Sequence, residues 1–474
     1  MQRNVLLVTA SVLAFSATAA FAGSNTIYLN QYDTSQSATI DQNGSGNSVG
    51  TSGNVFQQLN GGGTGGNNLI VLQNGSGNTV GRDKNGFQSG TGNSANVIQN
   101  GTNSDVELQQ TGTNNGLFGG SNPGWTNALT GNRIIQDNLA NGSKVDLGQN
   151  GSNNAVDIAQ GGAGNRTTAS QSGTNLLYVR QATSEPDSNF PPLNGYASAY
   201  GTNGSIDVNQ NGAVNYVAVG QGGGNANGVN IYQNGSSLGA GVNQNGDGNT
   251  FASIQFGSNN QVGVDSFFGP DDPVIQNGTG NQYYNSQVGS NGIALGSQVG
   301  TGNLVSTYQS GDTDKITGTQ NGTFNNVQSV QSGNNDALTY TQNGSSNYVL
   351  NNQFGSGATA TITQSGSSNQ AYNYQDSSAV VLLASSSGIN NYIYNSQSGS
   401  ANATITQAGS YNSSSGSQSG ATNVVGVNQN GSSNTALYAQ NGTSNSLTLT
   451  QNNTGNLSNT NQNGTGNVAT IHQH

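Results

Sequence analysis

The sequence lacks cysteine and has few of the other residues that usually carry enzyme or metal chemistry. None of the 474 residues is cysteine, and the two histidines are His472 and His474. Disulfides, thiolate nucleophiles and Cys-ligated metals are therefore excluded. The sequence also shows no clustered acids or bases of the kind that a catalytic solenoid needs. We expect no enzymatic activity, no metal site and no cofactor.

Charged side chains are scarce as well. Lys and Arg number 8 and Asp and Glu 19, so that 6% of the chain is charged and the formal net charge is −11. Basic residues this thinly scattered offer no electrostatic surface for nucleic acid. Apolar residues make up 31%, well below the share of an ordinary globular protein, so a conventional large core is not expected. Some other interaction must order the chain.

The first 22 residues have the pattern of a secretory signal peptide. Arg3 lies beside the amino terminus, an apolar run extends from Val5 to Phe15, and the sequence AFA at 20–22 fits a cleavage site. No later stretch is long and apolar enough to span a membrane. We therefore expect a mature chain that starts at Gly23, is exported and has no transmembrane segment.

Glutamine recurs at a fixed interval in the second half of the chain. From Gln276 to Gln375 every interval is 11 residues, and from Gln397 to Gln473 the series continues with a single interval of 10. Ser386 stands in phase where one glutamine is missing. Asn usually follows five residues after the glutamine, and Gly two residues after it. The unit is Q-x-G-x-x-N-x-Φ-x-Φ-x-Q, where Φ is often apolar, and such repetition is typical of repeat architectures.

The spacing inside the unit predicts a β-strand. Asn445, Leu447, Leu449 and Gln451 alternate with Ser and Thr, so the amide and apolar side chains share one face of a strand. We predict a strand of about seven residues and a corner of about four, in which Gly supplies a positive φ.

Two folds use such a unit: an antiparallel meander with Asn-Gly hairpins, and a β-solenoid with two strands in each rung of about 22 residues. We favour the solenoid, because unpaired buried amides are costly whereas identical amides stacked every ~4.8 Å can form hydrogen-bonded ladders. The predicted fold is all-β, a β-solenoid of two parallel sheets with about 20 rungs. The predicted ladder residues are Gln342, Asn347, Gln353, Gln364, Asn369, Gln429, Asn434, Gln440, Asn445, Gln451, Asn456, Gln462, Asn467 and Gln473.

Proline-bearing stretches interrupt the repeats, and we interpret them as loops because proline cannot donate to a central strand ladder. We also interpret Asp312 and Asp314 as solvated corner residues rather than calcium ligands. The predicted organisation is a signal peptide at 1–22, irregular repeats at 23–120, a Pro/Trp loop at 121–127, repeats at 128–182, a Pro-rich loop at 183–202, repeats at 203–266, a Pro/Asp loop at 267–274 and regular 11-residue repeats at 275–474.

The unit resembles the repeats of the curlin family, the subunits of curli fibres on bacterial surfaces. The resemblance is carried by the Gln, Gly and Asn of units such as QNGSSN at 342–347, with alternate apolar residues before the next Gln. It implies secretion through an outer-membrane pore, templated self-association into amyloid with a nucleator protein, and a role in biofilm matrix and adhesion.

The expected function is therefore that of a secreted structural subunit of an extracellular fibre at a bacterial cell surface. The alternative is a stand-alone solenoid adhesin or an ice- or glycan-binding surface, which a flat outward array of Thr or aromatic residues in register would favour. The outward positions mix Ser, Thr, Asn and Tyr, and we predict no such array. No charged residue follows Asp376 over 98 residues, so residues 397–473 are predicted to be the most self-associating block.

Overall fold

The computed structural model describes residues 24–33, 35–59, 66–82, 86–115, 132–136, 140–152, 154–181, 201–263 and 273–474. Within these ranges the chain forms β-strands and no helix. The predicted signal peptide, the Pro/Trp loop and most of the two other predicted loops lie outside the described residues. The chain divides into two compact units, residues 1–237 and 238–474.

Both units consist of short strands that follow one another closely. In the first unit the strands are Thr26–Ile27, Leu29–Gln31, Ser37–Ser45, Ser48–Val49, Phe56–Leu59, Asn68–Ser76, Thr79–Val80, Phe87–Thr91, Ser94–Gln99, Asp105–Thr113, Asn132–Gln136, Lys144–Ser152, Ala155–Gln160, Arg166–Gln181, Gly201–Thr202, Ser205–Gly222, Gly224–Asn225 and Gly228–Ser236. In the second unit they are Gly239–Asn245, Thr250–Ser258, Gln261–Val262, Val274–Thr279, Gln282–Ser290, Ile293–Thr301, Leu304–Gln309, Lys315–Thr323, Asn326–Gln331, Ala337–Ser345, Tyr348–Gln353, Thr359–Ser367, Gln370–Gln375, Val381–Ile389, Tyr392–Ser398, Ala401–Ser410, Ser413–Ala421, Asn423–Ser432, Thr435–Thr443, Ser446–Thr454, Leu457–Thr465 and Val468–Gln473.

In the second unit each strand pairs in parallel with a strand one rung away, not with its neighbour in sequence. Lys315–Thr323 pairs with Ala337–Ser345, which pairs in turn with Thr359–Ser367, so each residue aligns with the one 22 positions later. On the other sheet, Asn326–Gln331 pairs with Tyr348–Gln353 in the same register. This parallel pairing confirms the predicted β-solenoid of two sheets and is incompatible with an antiparallel meander.

The described residues form about 18 rungs, fewer than the predicted 20, because some paired strands are separated by many more than 22 residues. In the first unit Asp105–Thr113 pairs with Lys144–Ser152, a separation of 39 residues.

Over residues 304–375 the two strands of each rung differ in length, whereas the sequence predicted equal ones. Lys315–Thr323 has nine residues and Asn326–Gln331 has six. The longer strand continues through Gly322, whose φ is 127°. A Cβ on Gly322 would lie 1.9 Å from the carbonyl oxygen of Gly344, its partner in the next rung. Only glycine permits this stacking of corners.

The space between the two sheets is filled by alternate residues of each strand. In the second unit Val305, Ile316, Val327 and Leu338 are buried there. The glutamine that follows the inward apolar residues of each strand is buried beside them. The outward residues between them are mostly half-exposed or exposed. The interior therefore combines an apolar layer with a layer of stacked amides.

Candidate functional site

In the space between the two sheets, the glutamine side chains form hydrogen-bonded ladders that run from rung to rung. Gln320 Nε2 donates to Gln342 Oε1 at 2.8 Å, and Gln342 Nε2 donates to Gln364 Oε1 at 2.9 Å. The same Nε2 of Gln342 also donates to the carbonyl oxygen of Asn326 at 3.1 Å. All three glutamines are buried. Their mutual hydrogen bonds satisfy amides that would otherwise be costly to remove from water.

The glutamines that the sequence singled out lie in two such ladders with one common polarity. In each, Nε2 of one glutamine donates to Oε1 of the glutamine one rung later, as from Gln440 to Gln462 at 2.8 Å. One ladder contains Gln342, Gln364, Gln429, Gln451 and Gln473, and the other contains Gln353, Gln440 and Gln462. Ser386 aligns with Gln364 and interrupts the first ladder.

The asparagines form further ladders, one at each of the two corners of a rung. Asn347 Oδ1 accepts the backbone N–H of Asn369 at 3.1 Å, and Asn347 Nδ2 donates to the carbonyl oxygen of Gly366 at 3.1 Å. At the other corner Asn445 Oδ1 accepts the backbone N–H of Asn467 at 3.1 Å. The first corner contains Asn347, Asn369, Asn434 and Asn456, and the second contains Asn445 and Asn467.

The second-corner ladder contains two buried carboxyl groups, which corrects the expectation that Asp314 is solvated. Asp314 and Asp336 occupy the Asn position of adjacent rungs and are 1% and 0% exposed. Asp314 Oδ1 accepts the backbone N–H of Asp336 at 3.0 Å, and Asp336 Oδ1 accepts that of Ala358 at 2.9 Å. Oδ2 of Asp314 is buried without a hydrogen-bond partner. Asp312 is exposed, as predicted.

The buried carboxyl groups have altered acidity. Burial raises the pKa of Asp314 to about 6; the charges of Asp336 and Asp312 also raise it, whereas the backbone N–H of Asp336 lowers it. Burial raises the pKa of Asp336, against the backbone N–H groups of Ala358 and Gly333, which lower it. The sequence signal for this pair is that each Asp stands five residues after a ladder glutamine, Gln309 or Gln331.

Charged contacts occur in the first unit. Asp105 lies 3.4 Å from both Arg82 Nη2 and Lys144 Nζ. Arg180 donates to both carboxylate oxygens of buried Asp157, at 3.1 and 3.2 Å. Except for Arg82, these charged residues lie on strands of the stacked sheets, where the repeat of the second unit has mainly uncharged residues.

The two outward faces of the second unit differ in chemistry. One carries an aromatic patch of Tyr348, Tyr372 and Tyr392, in which the ring of Tyr372 lies 5.5 Å from each of the other two. The other carries threonines that align from rung to rung, beginning with Thr317, Thr339 and Thr361. The prediction that no outward array exists was therefore wrong. It failed because alignment between rungs is visible only once the 22-residue register is known.

The fold and its interior define a class of protein, a parallel β-solenoid ordered by glutamine and asparagine ladders. In comparison with known proteins, the chain matches no protein-family model and no curated protein. The part of the chain that the structure describes has no helix with the length and apolar character needed to cross a membrane. Over the same residues, no three His, Cys, Asp or Glu side chains are grouped so as to hold a metal ion.

Proposed function

We propose that the chain is a secreted structural subunit of an extracellular curli-like amyloid fibre, which grows when the end of one solenoid stacks on the end of another. The observation that carries this proposal is the common polarity of the ladders. A stack with one polarity presents different, complementary groups at its two ends, so it can be extended by a further copy in the same orientation.

The last rung of the second unit presents hydrogen-bond donors. Gln473 Nε2 donates to the carbonyl oxygen of Leu457 at 2.8 Å, but among the described residues no further glutamine follows to accept its second N–H. Ala469 and Ile471 are partly exposed, whereas Leu447 and Leu449, aligned with them one rung earlier, are 1% and 0% exposed. Among the described residues, no strand covers the inward face of this rung in the way that Val468–Gln473 covers Leu447 and Leu449.

The first rungs of the first unit present acceptors. Gln31 and Gln42 donate through Nε2 to Gln58 and Gln73 at 2.7 and 2.8 Å, and in the described part of the chain no group donates to the Oε1 of either. An N–H of Gln473 in one copy is the donor, and the Oε1 of Gln42 in another copy is the acceptor, of the hydrogen bond that links successive glutamines within each ladder. Uncovered strand edges strengthen such an association through backbone hydrogen bonds.

The rest of the proposal follows from the resemblance to curlins. The subunit is exported through an outer-membrane pore, assembles at the surface of a bacterium with the help of a nucleator protein, and contributes to biofilm matrix and adhesion. The low charge of the second unit supports this assignment, because stacked strands with like charges repel each other.

The test places charge on the last rung. In Ala469→Lys/Ile471→Lys the new ammonium groups lie on the inward face, and in the control, Val468→Lys/Thr470→Lys, they lie on the outward face of the same strand. We expect the unmodified chain and the control to form fibres with a ~4.8 Å diffraction spacing along the fibre axis, and the inward variant to remain soluble with an unchanged circular dichroism spectrum. An unmodified chain that does not polymerise, or equal assembly of the two variants, would refute the proposal.

The second candidate function is that of a stand-alone adhesin or surface-binding solenoid. The aromatic patch of Tyr348, Tyr372 and Tyr392 favours it, since these half-exposed rings are grouped on one face and surface aromatic clusters are typical of binding surfaces. This candidate predicts that the chain stays monomeric while it adsorbs to a polysaccharide surface, and that Tyr372→Ser weakens the adsorption.

A further inference from the structure

One outward face of the second unit carries two adjacent columns of threonine, here called the threonine face. Three consecutive rungs have the motif Thr-x-Thr, and the motif returns in later rungs of the same sheet. The first column consists of Thr317, Thr339, Thr361, Thr404, Thr448 and Thr470, and the second of Thr319, Thr341, Thr363, Thr406 and Thr450. The pairs Leu383/Ser385 and Gly426/Asn428 occupy the intervening rungs.

These columns occur on one sheet only. The equivalent outward positions of the other sheet run from Ser306 and Tyr308 to Asn459 and Asn461, and they contain no threonine. Both sheets are parallel and have the same need for residues that favour strands. A general preference of threonine for β-strands therefore does not explain its restriction to one face.

The register makes the threonine face a regular lattice. Successive threonines of one column are separated by the distance between paired strands, ~4.8 Å, and the two threonines of one strand by two residues, about 6.6 Å. Threonine is branched at Cβ and has few χ1 rotamers, so its hydroxyl and methyl groups are held in place. Beneath Thr341 and Thr363, buried Tyr340, Ile362 and the Gln342–Gln364 hydrogen bond hold the sheet rigid.

The charge of the threonine face limits what it can bind. No position of the two columns carries a charged side chain in any rung from Thr317 to Thr450, and Lys315 lies at the margin. Thr317 Oγ1 is buried without a hydrogen-bond partner, so the accessible array starts at Thr319 and Thr339. A neutral lattice of hydroxyl and methyl groups complements a neutral ligand with a regular hydrogen-bonding pattern, not an ion, a nucleic acid or a charged membrane.

We propose that the threonine face binds ice. A crystal face of ice is an uncharged, rigid, two-dimensional lattice of hydrogen-bonding groups, and the two spacings of the array are close to the in-plane repeats of the prism face of hexagonal ice. Threonine hydroxyls hydrogen-bond to water molecules of the crystal, and the methyl groups fit between them. The binding needs only a single chain and does not depend on fibre assembly, although a fibre would present many arrays at once and bind more tightly.

The experiment measures partition of the full chain into a slowly growing ice crystal, together with the shape of crystals grown in its presence. In the variant Thr341→Lys/Thr363→Lys the two lysines lie on adjacent rungs of the threonine face, directly before Gln342 and Gln364. The control is Val330→Lys/Asn352→Lys, which adds the same charges directly before Gln331 and Gln353 on the opposite face. Circular dichroism and melting temperature show that both variants are folded.

We expect the unmodified chain and the control to enter the ice and to facet the crystals. The incorporated fraction of the threonine-face variant should fall by about tenfold. The milder variant Thr341→Ser/Thr363→Ser keeps the hydroxyls but removes the methyl groups, and it should show an intermediate loss even if the lysine variant fails to fold. Exclusion of the unmodified chain from ice, or equal losses in the threonine-face variants and the control, would overturn the proposal.

Discussion

Gly416 lies one rung below Tyr438, and its missing side chain makes room for the tyrosine ring. A Cβ at Gly416 would lie 2.2 Å from a ring carbon of Tyr438. The ring extends past Gly416 to the next rung, where Tyr438 Oη donates to Asn395 Oδ1 at 3.0 Å. Asn395, Gly416 and Tyr438 align in one inward column. The interior is therefore packed along the stack, with a large residue above a small one.

This packing predicts a strong coupling between the two residues. Gly416→Ala should lower the free energy of unfolding by about 1–3 kcal/mol, because the added methyl group overpacks a filled column. The same change in a Tyr438→Leu background should cost less, since the shorter side chain leaves space. A double-mutant cycle from denaturant unfolding of the full chain measures the coupling; additive effects would contradict the packing described here.

The glutamine ladder predicts unequal costs at neighbouring positions. Gln440 accepts from Gln418 at 2.9 Å and donates to Gln462 at 2.8 Å, so Gln440→Ala leaves one buried donor and one buried acceptor without partners. We expect the free energy of unfolding to fall by about 2–4 kcal/mol. Ala439→Ser, on the half-exposed outward face, should change it by less than about 0.5 kcal/mol. Equal shifts of the melting temperature in the two variants would argue against a stabilising ladder.

The buried Asp314 predicts a stability that depends on pH. Its folded-state pKa is raised from 3.8 to about 6, so the folded chain favours the protonated carboxyl group. The protonated Asp314 carboxyl group makes its full contribution to stability below about pH 4, and this contribution is lost as the pH rises through about 6. Asp314→Asn, which cannot ionise, should be more stable than the unmodified chain at pH 7.5 by on the order of 2 kcal/mol, and this difference should shrink at pH 4.

The control for this pH effect is Asp312→Asn, because Asp312 is exposed and two residues away in the same corner. Melting temperatures of both variants and the unmodified chain are measured from pH 4 to pH 7.5. Asp312→Asn should keep the pH dependence of the unmodified chain, only slightly weakened, because the charge of Asp312 also raises the pKa of Asp314. If Asp314→Asn shows the same pH dependence as the unmodified chain, the Asp314 carboxyl group is not held protonated by the fold.

The uneven charge predicts that assembly starts from residues 397–474. This block has uncharged repeats with unbroken ladders from Gln407 to Gln451, whereas the first unit contains the Asp105 and Asp157 ion pairs. A fragment of 397–474 should form fibres faster than a fragment of 23–181 at equal concentration and low salt. Lysines at the inward positions Leu447 and Leu449 should abolish the difference. Equally fast nucleation by the N-terminal fragment would assign assembly to another part of the chain.

Much of the local structure was predictable from the sequence. The alternation in residues 445–451 identified Leu447, Leu449 and Gln451 as one face, and the structure buries all three. The glycine two residues after most glutamines predicted a corner with positive φ; Gly322 and Gly344 have it, whereas Gly311 and Gly333 do not. These features follow from the pleat of a single strand and the backbone freedom of single residues, which neighbouring residues in the chain determine.

The sequence by itself thus determined strands, corners, inward amides and the preference for parallel stacking, since each is written in an 11-residue unit. Only the tertiary structure decided which 11-residue repeats are neighbours. Asn434 and Asn445 are equivalent in the 11-residue repeat but lie at different corners. This is because each rung contains two repeats, and contacts form between residues 22 apart. The burial of Asp314 beside Asp336, the fit of Tyr438 over Gly416 and the columns of the threonine face all depend on that register. Register is a relationship between strands, so it cannot be determined from the sequence of a single 11-residue repeat.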